Sequence, residues 1–388
     1  MVLIAASPAT LVLGVGRGAV VISGATGAVR ALDAGAADER CVAVACSADG
    51  ATVVTAADSK IIRCWVDGVV VGEATVVRRP SGLAVAALEN QASALAALVC
   101  CAGELWAHPL PALDRPGAKL LAHTSSVLTC VAMGAGVVAT ADRNEKVRLS
   151  RFPQCAEVEA FCLGHSKFVA GVAFAGATLA SAGGDGEVRL WNTDGECLAV
   201  RRPTPSDDMV DIDLGEPSAS GYECTAVAAC ETAVAVGLRD DAHVHVFSVV
   251  AREGGASLGV APVSLDLPAP PADLCFRGET LCALVPGHVL CAFERGADGA
   301  WAPAAAPVVG AAVAAAAAPL GQVAPSGLFL ALDRKHDHQT GPVLDDGLAA
   351  VPPAVLKKHQ LESHFDPSRI VPDEAAKKAR NDAGEGGA

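Results

Sequence analysis

Positive charge is scarce in this sequence. Only 29 lysines and arginines stand against 43 aspartates and glutamates, for a formal net charge of −14. A broad grip on nucleic acid needs clustered Lys and Arg to neutralise phosphates, so the composition excludes that mode and leaves RNA contact local or shared with a partner. Cys-x-x-Cys spacing is also missing, although the chain has 14 cysteines. Most of them, such as Cys41, Cys46, Cys130, Cys224, Cys230, Cys282 and Cys291, lie in apolar alternating runs. They read as small buried hydrophobes in a reducing compartment, cytosol or nucleus, rather than as disulfide or zinc ligands. No basic segment precedes the apolar stretch from Met1 to Leu32, whose Val and Ile spacing with Gly and Pro punctuation reads as short strands rather than a secretory leader. The other apolar run, 302–320, is mostly alanine and is broken by Pro303, Pro307 and Pro319, which excludes a membrane-spanning helix there.

What the chain does have is a repeat. Trp65, His108, Ser150 and Trp191 close comparable short strands, SKIIRCW, GELWAH, EKVRLS and GEVRLW, at steps of 43, 42 and 41 residues. His123 and His165 keep the same interval, 42 residues. A period of about 40 to 45 residues with four short strands per unit is that of a WD-repeat β-propeller. With 52 % hydrophobic residues the chain can form a core, and 388 residues hold seven units of about 42 plus a tail. The expected fold is therefore all-β, a seven-bladed propeller over 1–332 with a partly disordered C-terminal tail over 333–388.

The blades are expected near 1–36, 37–78, 79–118, 119–160, 161–202, 220–255 and 258–300. The Pro, Ser and Asp content of 201–221 marks an exposed acidic loop insertion, and 301–323 an Ala/Pro-rich connector. Ring closure is open between a strand lent by the N-terminus and one returning at 327–332. Within the charged tail a short helix is expected at 353–364.

Ser181, His165 and Asp185 are the residue types of a nucleophilic triad. No Gly-x-Ser-x-Gly turn surrounds Ser181, however, and a blade has other work for these side chains. His opens the crossing between blades, Ser sits late in the second strand, Asp occupies the tight turn before the third, and Trp191 closes it. The four are expected to form a buried hydrogen-bond tetrad that ties the strands together. His123, Thr140 and Asp142 form a partial version, with Ser150 at the Trp position. The expected innermost strands, VAVACSA, VLTCVAM and VAGVAFA, are apolar and offer no channel chemistry, so no catalytic residue is assigned. The pairs His243/His245 and His336/His338 have the i, i+2 spacing of two ligands on a strand, but no Cys or carboxylate at ligand spacing completes either. They are expected as exposed strand and loop residues, and no metal is assigned.

The turn 142–146 and the crossing 164–168 should share one face of the ring. Arg143, Glu145, Lys146 and Lys167 would then surround Phe168, a mixed-charge patch with an apolar centre of the kind that suits a protein interface. The other reading turns Phe168 inward and leaves ordinary solvated turns.

ADRNEKVRLS, then EAFCLGHSKFV, then SAGGDGEVRLW together resemble the WD-repeat, non-catalytic subunit of the eukaryotic tRNA (guanine-N7) methyltransferase. The close match covers about 139–191. It goes beyond the generic repeat, since Arg143, Glu145, Lys146 and the FCLGH segment are not needed to build a blade. The resemblance implies a heterodimer in which the propeller, itself without catalytic residues or cofactor, binds and stabilises a Rossmann-type subunit. That subunit binds S-adenosylmethionine and methylates a guanine in the tRNA variable loop. The resemblance places partner contacts at Ser166, Lys167 and Phe168, implies tRNA contact mainly through the complex, and points to the nucleus. Lys167 departs from the acidic residue often found in relatives, and Gly171 from a basic one. The third blade, VCCAGELWAH, lacks a charged turn. In the tail, Lys357, Lys358, Lys377, Lys378 and Arg380 are the basic residues available to RNA. A WD-repeat scaffold of a different complex is the alternative.

Overall fold

The computed structural model describes residues 3–304, apart from 36–37, 88–94, 124–127, 135, 204–221, 253–254, 260–261 and 287–288, together with 313 and 315–320. Short apolar alternating runs separated by turns fold as antiparallel strands, grouped in chain order into seven sheets. Blade 1 is β1 (Ile4–Ala6), β2 (Thr10–Val15), β3 (Gly18–Ser23) and β4 (Val29–Leu32). Blade 2 is β5 (Cys41–Cys46), β6 (Thr52–Ala57), β7 (Ile61–Val66) and β8 (Val69–Thr75). Blade 3 is β9 (Gly82–Ala87), β10 (Leu95–Cys101), β11 (Glu104–Pro109) and β12 (Ala118–Ala122). Blade 4 is β13 (Leu128–Gly134), β14 (Val137–Asp142), β15 (Val147–Arg151) and β16 (Val158–Cys162). Blade 5 is β17 (Val169–Ala175), β18 (Thr178–Gly183), β19 (Val188–Trp191) and β20 (Cys197–Arg201). Blade 6 is β21 (Cys224–Ala229), β22 (Ala233–Leu238), β23 (His243–Arg252), β24 (Gly255–Leu258) and β25 (Val263–Asp266). Blade 7 is β26 (Asp273–Arg277), β27 (Thr280–Val285), β28 (Val289–Arg295) and β29 (Trp301–Pro303). The architecture is the expected all-β, seven-bladed propeller.

The first strand of each blade is innermost, and these strands contact one another in a closed circuit, β1, β5, β9, β13, β17, β21, β26 and back to β1. Each blade is then covered on both faces by its neighbours. The second strands accordingly bury both faces, as in TVVTAA of β6 and AVAVGL of β22. Val, Ala, Cys and Leu dominate there because closely stacked sheets leave little depth for larger side chains. The cysteines follow this logic, with Cys41, Cys64, Cys100, Cys155, Cys162, Cys224 and Cys282 all buried and unbridged. Burial raises the Cys41, Cys155 and Cys162 thiols to about 12, far from a reactive thiolate.

Among the described residues no strand is exchanged between the ends, because blade 1 and blade 7 each hold four strands of their own. The outermost strand of blade 7 is β29, Trp301–Pro303, so these residues belong to the blade and not to the connector expected over 301–323. Closure is made instead by two clasps. The amides of Leu3 and Ile4 donate to Asp273 Oδ2 at 2.6 and 3.2 Å, joining β1 to β26. At the same seam between blades 7 and 1, Val313, Ala317 and Leu320 are buried in one cluster with Leu13, Val20 and Leu284, and the Arg17 amide donates to the Leu320 carbonyl at 2.9 Å. Residues 327–332 and the expected helix at 353–364 lie outside the described residues, as does most of the 201–221 insertion.

Blade 6 also ends later than its repeat spacing indicates. Strand β23 is ten residues long. Its first half pairs with β25, Val244 opposite Leu265, and its second half carries an added hairpin with β24, Val249 opposite Leu258. Residues 263–266 therefore belong to blade 6 rather than blade 7.

Leu320 is 3 % exposed. Leu320→Ala should lower the unfolding free energy by about 3 kcal/mol, the usual cost of a large-to-small change in a packed core. Urea unfolding followed by tryptophan fluorescence reads this, and an unchanged midpoint would show that the clasp does not hold the ring.

Candidate functional site

The tetrad forms as expected in blade 5. His165, on the crossing from blade 4, places Nδ1 2.9 Å from Asp185 Oδ2 and Nε2 2.7 Å from Ser181 Oγ. Trp191 Nε1 donates to the same Ser181 Oγ at 2.8 Å. Asp185 also accepts from the amides of Ser166, 2.9 Å, and Glu187, 3.1 Å. One carboxylate thus fixes both the crossing and the turn between β18 and β19. Blade 4 keeps the His–Thr–Asp half, with His123 Nδ1 3.0 Å from Asp142 and Nε2 2.7 Å from Thr140. Ser150, where a Trp would stand, accepts from Arg148 Nε at 2.8 Å instead. Blade 2 keeps the other half, Trp65 Nε1 to Thr55 Oγ1 at 2.9 Å.

Burial alone would push the Asp185 and Asp142 carboxyls up, but the facing histidines and the turn amides outweigh it, so both are held below the usual carboxylate range. Ser181 is fully buried, with a histidine and an indole already on its oxygen. It has no route to a substrate. A Gly-x-Ser-x-Gly string overlooked in the sequence does occur at 255–259, yet Ser257 lies on the extended strand β24 and its hydroxyl donates to the Leu258 carbonyl. That is no nucleophile elbow. His165, Asp185 and Glu187 bring donor atoms within 4.8 Å of one another. Their lone pairs are committed, however, since Glu187 holds Arg189 and Arg202, each at 2.5 Å. The chemistry of the cluster is that of a structural knot rather than a metal centre.

Blade 6 corrects the reading of His243 and His245 as exposed strand residues. His245 is buried, with Nε2 2.8 Å from Asp241 and Nδ1 3.1 Å from Ser264 Oγ. His243 is half-exposed and reaches Asp241 at 2.5 Å through Nδ1. Asp241 occupies the turn between β22 and β23, the position of Asp142 and Asp185, and the blade supplies the histidine from its own third strand.

The surface residues fall partly as expected. The turn 142–146 and the crossing 163–168 adjoin at one end of blade 4, because Val147 pairs with Cys162 and brings Lys146 level with Leu163. Glu145, Lys146, Ser166 and Lys167 are exposed, and Arg143 is half-buried. Phe168 is not on the surface. It is 5 % exposed, and a Cβ on Gly184 would come within 2.3 Å of its ring, so glycine is what lets the ring turn inward. The apolar element of this face lies earlier in the chain, at Phe161 and Leu163, 47 and 61 % exposed. With Lys146 and Arg148 they line a cavity of about 260 Å³ floored by His123 and Asp142. Sequence reading missed this group, although alternation about the buried Cys162 signals it. The uncharged third blade is explained by a two-residue hairpin at Ala102 and Gly103, both in the left-handed region, which leaves no room for an acidic turn.

Residues 86–247, blades 3 to 6, match the family model "tRNA methyltransferase TRM82 WD40 domain". Over 107 residues the chain is 38 % identical to a Culex quinquefasciatus protein named as the tRNA (guanine-N(7)-)-methyltransferase non-catalytic subunit wuho, covering 26 % of this chain and 27 % of that one. Over 63 residues it is 44 % identical to the Dictyostelium discoideum non-catalytic subunit wdr4, covering 15 % and 14 %. The matched region thus spans about a quarter or less of the length of these relatives. Among solved structures, U3-55K aligns with a TM-score of 0.57 at 19 % identity, covering 74 % of this chain and 89 % of that one. The RRP9 WD40 repeats align at 0.58 and 18 %, covering 74 % and 88 %. These two likenesses are of fold. The family match bears out the resemblance carried by the 139–191 stretch.

Asp185→Asn should cost about 3 kcal/mol, since it leaves a buried histidine and two amides without their charged acceptor. Trp191→Phe, which loses one hydrogen bond and keeps most of the packing, should cost about 1 kcal/mol. Because both aspartates have depressed values, the stability they supply is complete at neutral pH and is lost as pH falls below about 4 and through their folded values. Chemical unfolding at pH 7 and pH 3 should show wild type losing more stability on acidification than Asp185→Asn. Equal losses would place the acid sensitivity elsewhere.

Proposed function

We propose that this chain is a non-catalytic subunit that holds and stabilises a separate tRNA (guanine-N7) methyltransferase, forms a heterodimer with it, and supports methylation of a guanine in the tRNA variable loop. The observation that carries this reading is the match of residues 86–247 to a tRNA methyltransferase WD40 family. Within that region, Arg143, Glu145, Lys146, Phe161 and Leu163 lie together at one end of blade 4 and are not required by the blade, whose core and tetrad take Cys162 and His165 from the same FCLGH segment.

Under this reading the blades supply a rigid platform. The buried tetrad positions the crossing 164–168 and the turn 142–146, and exposed Ser166, Lys167, Glu145 and Lys146 meet the enzyme with Arg143 beside them. Phe168 contributes from beneath, by setting the backbone of the crossing against Gly184. The catalytic subunit binds S-adenosylmethionine and performs the transfer. RNA crosses the composite surface, because a body of net charge −14 repels phosphate except at local cationic points. Lys357, Lys358, Lys377, Lys378 and Arg380 are further such points, and the nucleus is the compartment proposed.

The test is methyl transfer from labelled S-adenosylmethionine to tRNA by the catalytic subunit of the same genome, with and without this chain. The chain alone should be inert, and should raise or prolong the enzyme's activity. An enzyme that neither binds the chain nor responds to it would return the protein to WD-repeat scaffolds of other complexes. Reversing charge at Arg143→Glu and Lys146→Glu together should weaken the complex about tenfold, on the scale of one or two desolvated charge contacts, without changing the thermal midpoint of the free chain.

A further inference from the structure

Three blades carry an arginine at the same place on the third strand, two residues before its closing position. They are Arg63 before Trp65, Arg148 before Ser150 and Arg189 before Trp191. Two of them are neutralised within the chain. Arg63 donates to Glu73 through Nε at 2.8 Å and to Glu39 through Nη1 at 2.5 Å. Arg189 donates to Glu187 through Nε at 2.7 Å and lies 5.8 Å from the Trp191 ring centroid. It also leans over Gly164, where a Cβ would come within 2.4 Å of Nη1. Arg148 differs. Its Nε donates to Ser150 at 2.8 Å and its Nη2 to the Cys155 carbonyl at 3.0 Å, both neutral acceptors. Among the described residues it forms no ion pair, and the residue two before it is Lys146, where blade 5 has Glu187.

A half-buried guanidinium without a counter-charge is costly, and burial works against its proton. Both hydrogens on Nη1 and one on Nη2 remain for an outside acceptor. The surroundings say which acceptor fits. Arg148 pairs across the strands with Phe161, so Lys146, Arg148, Phe161 and Leu163 share one face of the β15–β16 edge. They wall a notch of about 260 Å³, room for one or two side chains. Asp142 at its floor is not competing for the guanidinium, since its oxygens hold His123 and the amides of Asn144 and Lys146.

We infer that this notch on the rim of blade 4 receives an acidic side chain with an apolar neighbour from a protein partner. The carboxylate would pair with Arg148 beside Lys146, and the apolar group would cover Phe161 and Leu163. A protein segment fits better than an RNA backbone. Glu145 and Glu157 are exposed nearby, and Glu159, on the same strand face as Phe161, is paired with Arg151. A phosphodiester chain would have to pass these carboxylates, whereas one side chain enters between them. The partner's identity rests on the function proposed above.

Binding of the catalytic methyltransferase subunit to the full chain by calorimetry tests this. The variants are Phe161→Ser with Leu163→Ser, Lys146→Glu, and Arg148→Gln, with Val69→Ser on the exposed outer strand of blade 2 as control. Thermal midpoints confirm folding, and the first two variants alter exposed side chains in case Arg148→Gln fails to fold. The expected result is a loss of about tenfold or more for the double variant and for Arg148→Gln, a smaller loss for Lys146→Glu that shrinks at high salt, and no change for Val69→Ser. If wild type binds and the notch variants bind equally well, the notch is overturned while the proposed function stands. If they keep the enzyme but the complex loses tRNA affinity, the notch is an RNA contact and the inference is overturned. If wild type does not bind, the functional reading fails and the inference with it.

Discussion

A blade cannot bury both faces of its own sheet, and every other feature of this molecule answers to that constraint. Each sheet is apolar on two sides, so it is stable only between two neighbours, and the first and last have neighbours only if the ring closes. The core is accordingly not one mass. It is divided into clusters lying between successive blades, from Val12 and Trp65 between blades 1 and 2 to Leu13 and Leu284 between blades 7 and 1. Small side chains follow from the same stacking. Ala, Val and Cys fill positions where a larger residue would push neighbouring sheets apart.

Polar side chains do two kinds of work in this setting. Inside, His165, Ser181, Asp185 and Trp191 satisfy one another and leave little chemistry over. The same residue types that catalyse in other folds here fix the crossing between blades, and geometry alone separates the two uses. At the rim the balance differs from blade to blade. Blades 2 and 5 neutralise their third-strand arginine with their own glutamates, and blade 4 does not. A departure from internal symmetry is informative in a repeat protein, because the equivalent positions show what the fold itself requires.

Much of this was legible in the sequence, for a physical reason. Trp, His and Asp recur at blade spacing because each occupies a unique place in a hydrogen-bond chain, so the period, the blade number and the blade 5 tetrad could all be read from Trp65, His123, His165 and Trp191. What spacing does not report is the direction of a side chain in an irregular crossing. Phe168 looks outward on paper and turns in because Gly184 leaves room for its ring. Nor does it report an insertion within a blade. Strand β23 runs on past its usual end to carry a hairpin, which shifts the blade 6 boundary to Asp266. Nor does the i, i+2 spacing of His243 and His245 show that Asp241 holds the place that Asp185 has in another blade and draws His245 inward.

The two clasps of blade 1 have a consequence in time. Leu3 and Ile4 are among the first described residues to leave a ribosome and Leu320 is the last, yet all three meet at one seam. Blades 2 to 6 can stack on one another as they emerge. The outer face of blade 1 must wait, with Leu11, Leu13 and Ile22 uncovered, until blade 7 and Leu320 have followed it. For that interval the nascent chain is an open stack with an apolar end, and a chaperone that shields this end would be guarding the place where the finished ring locks.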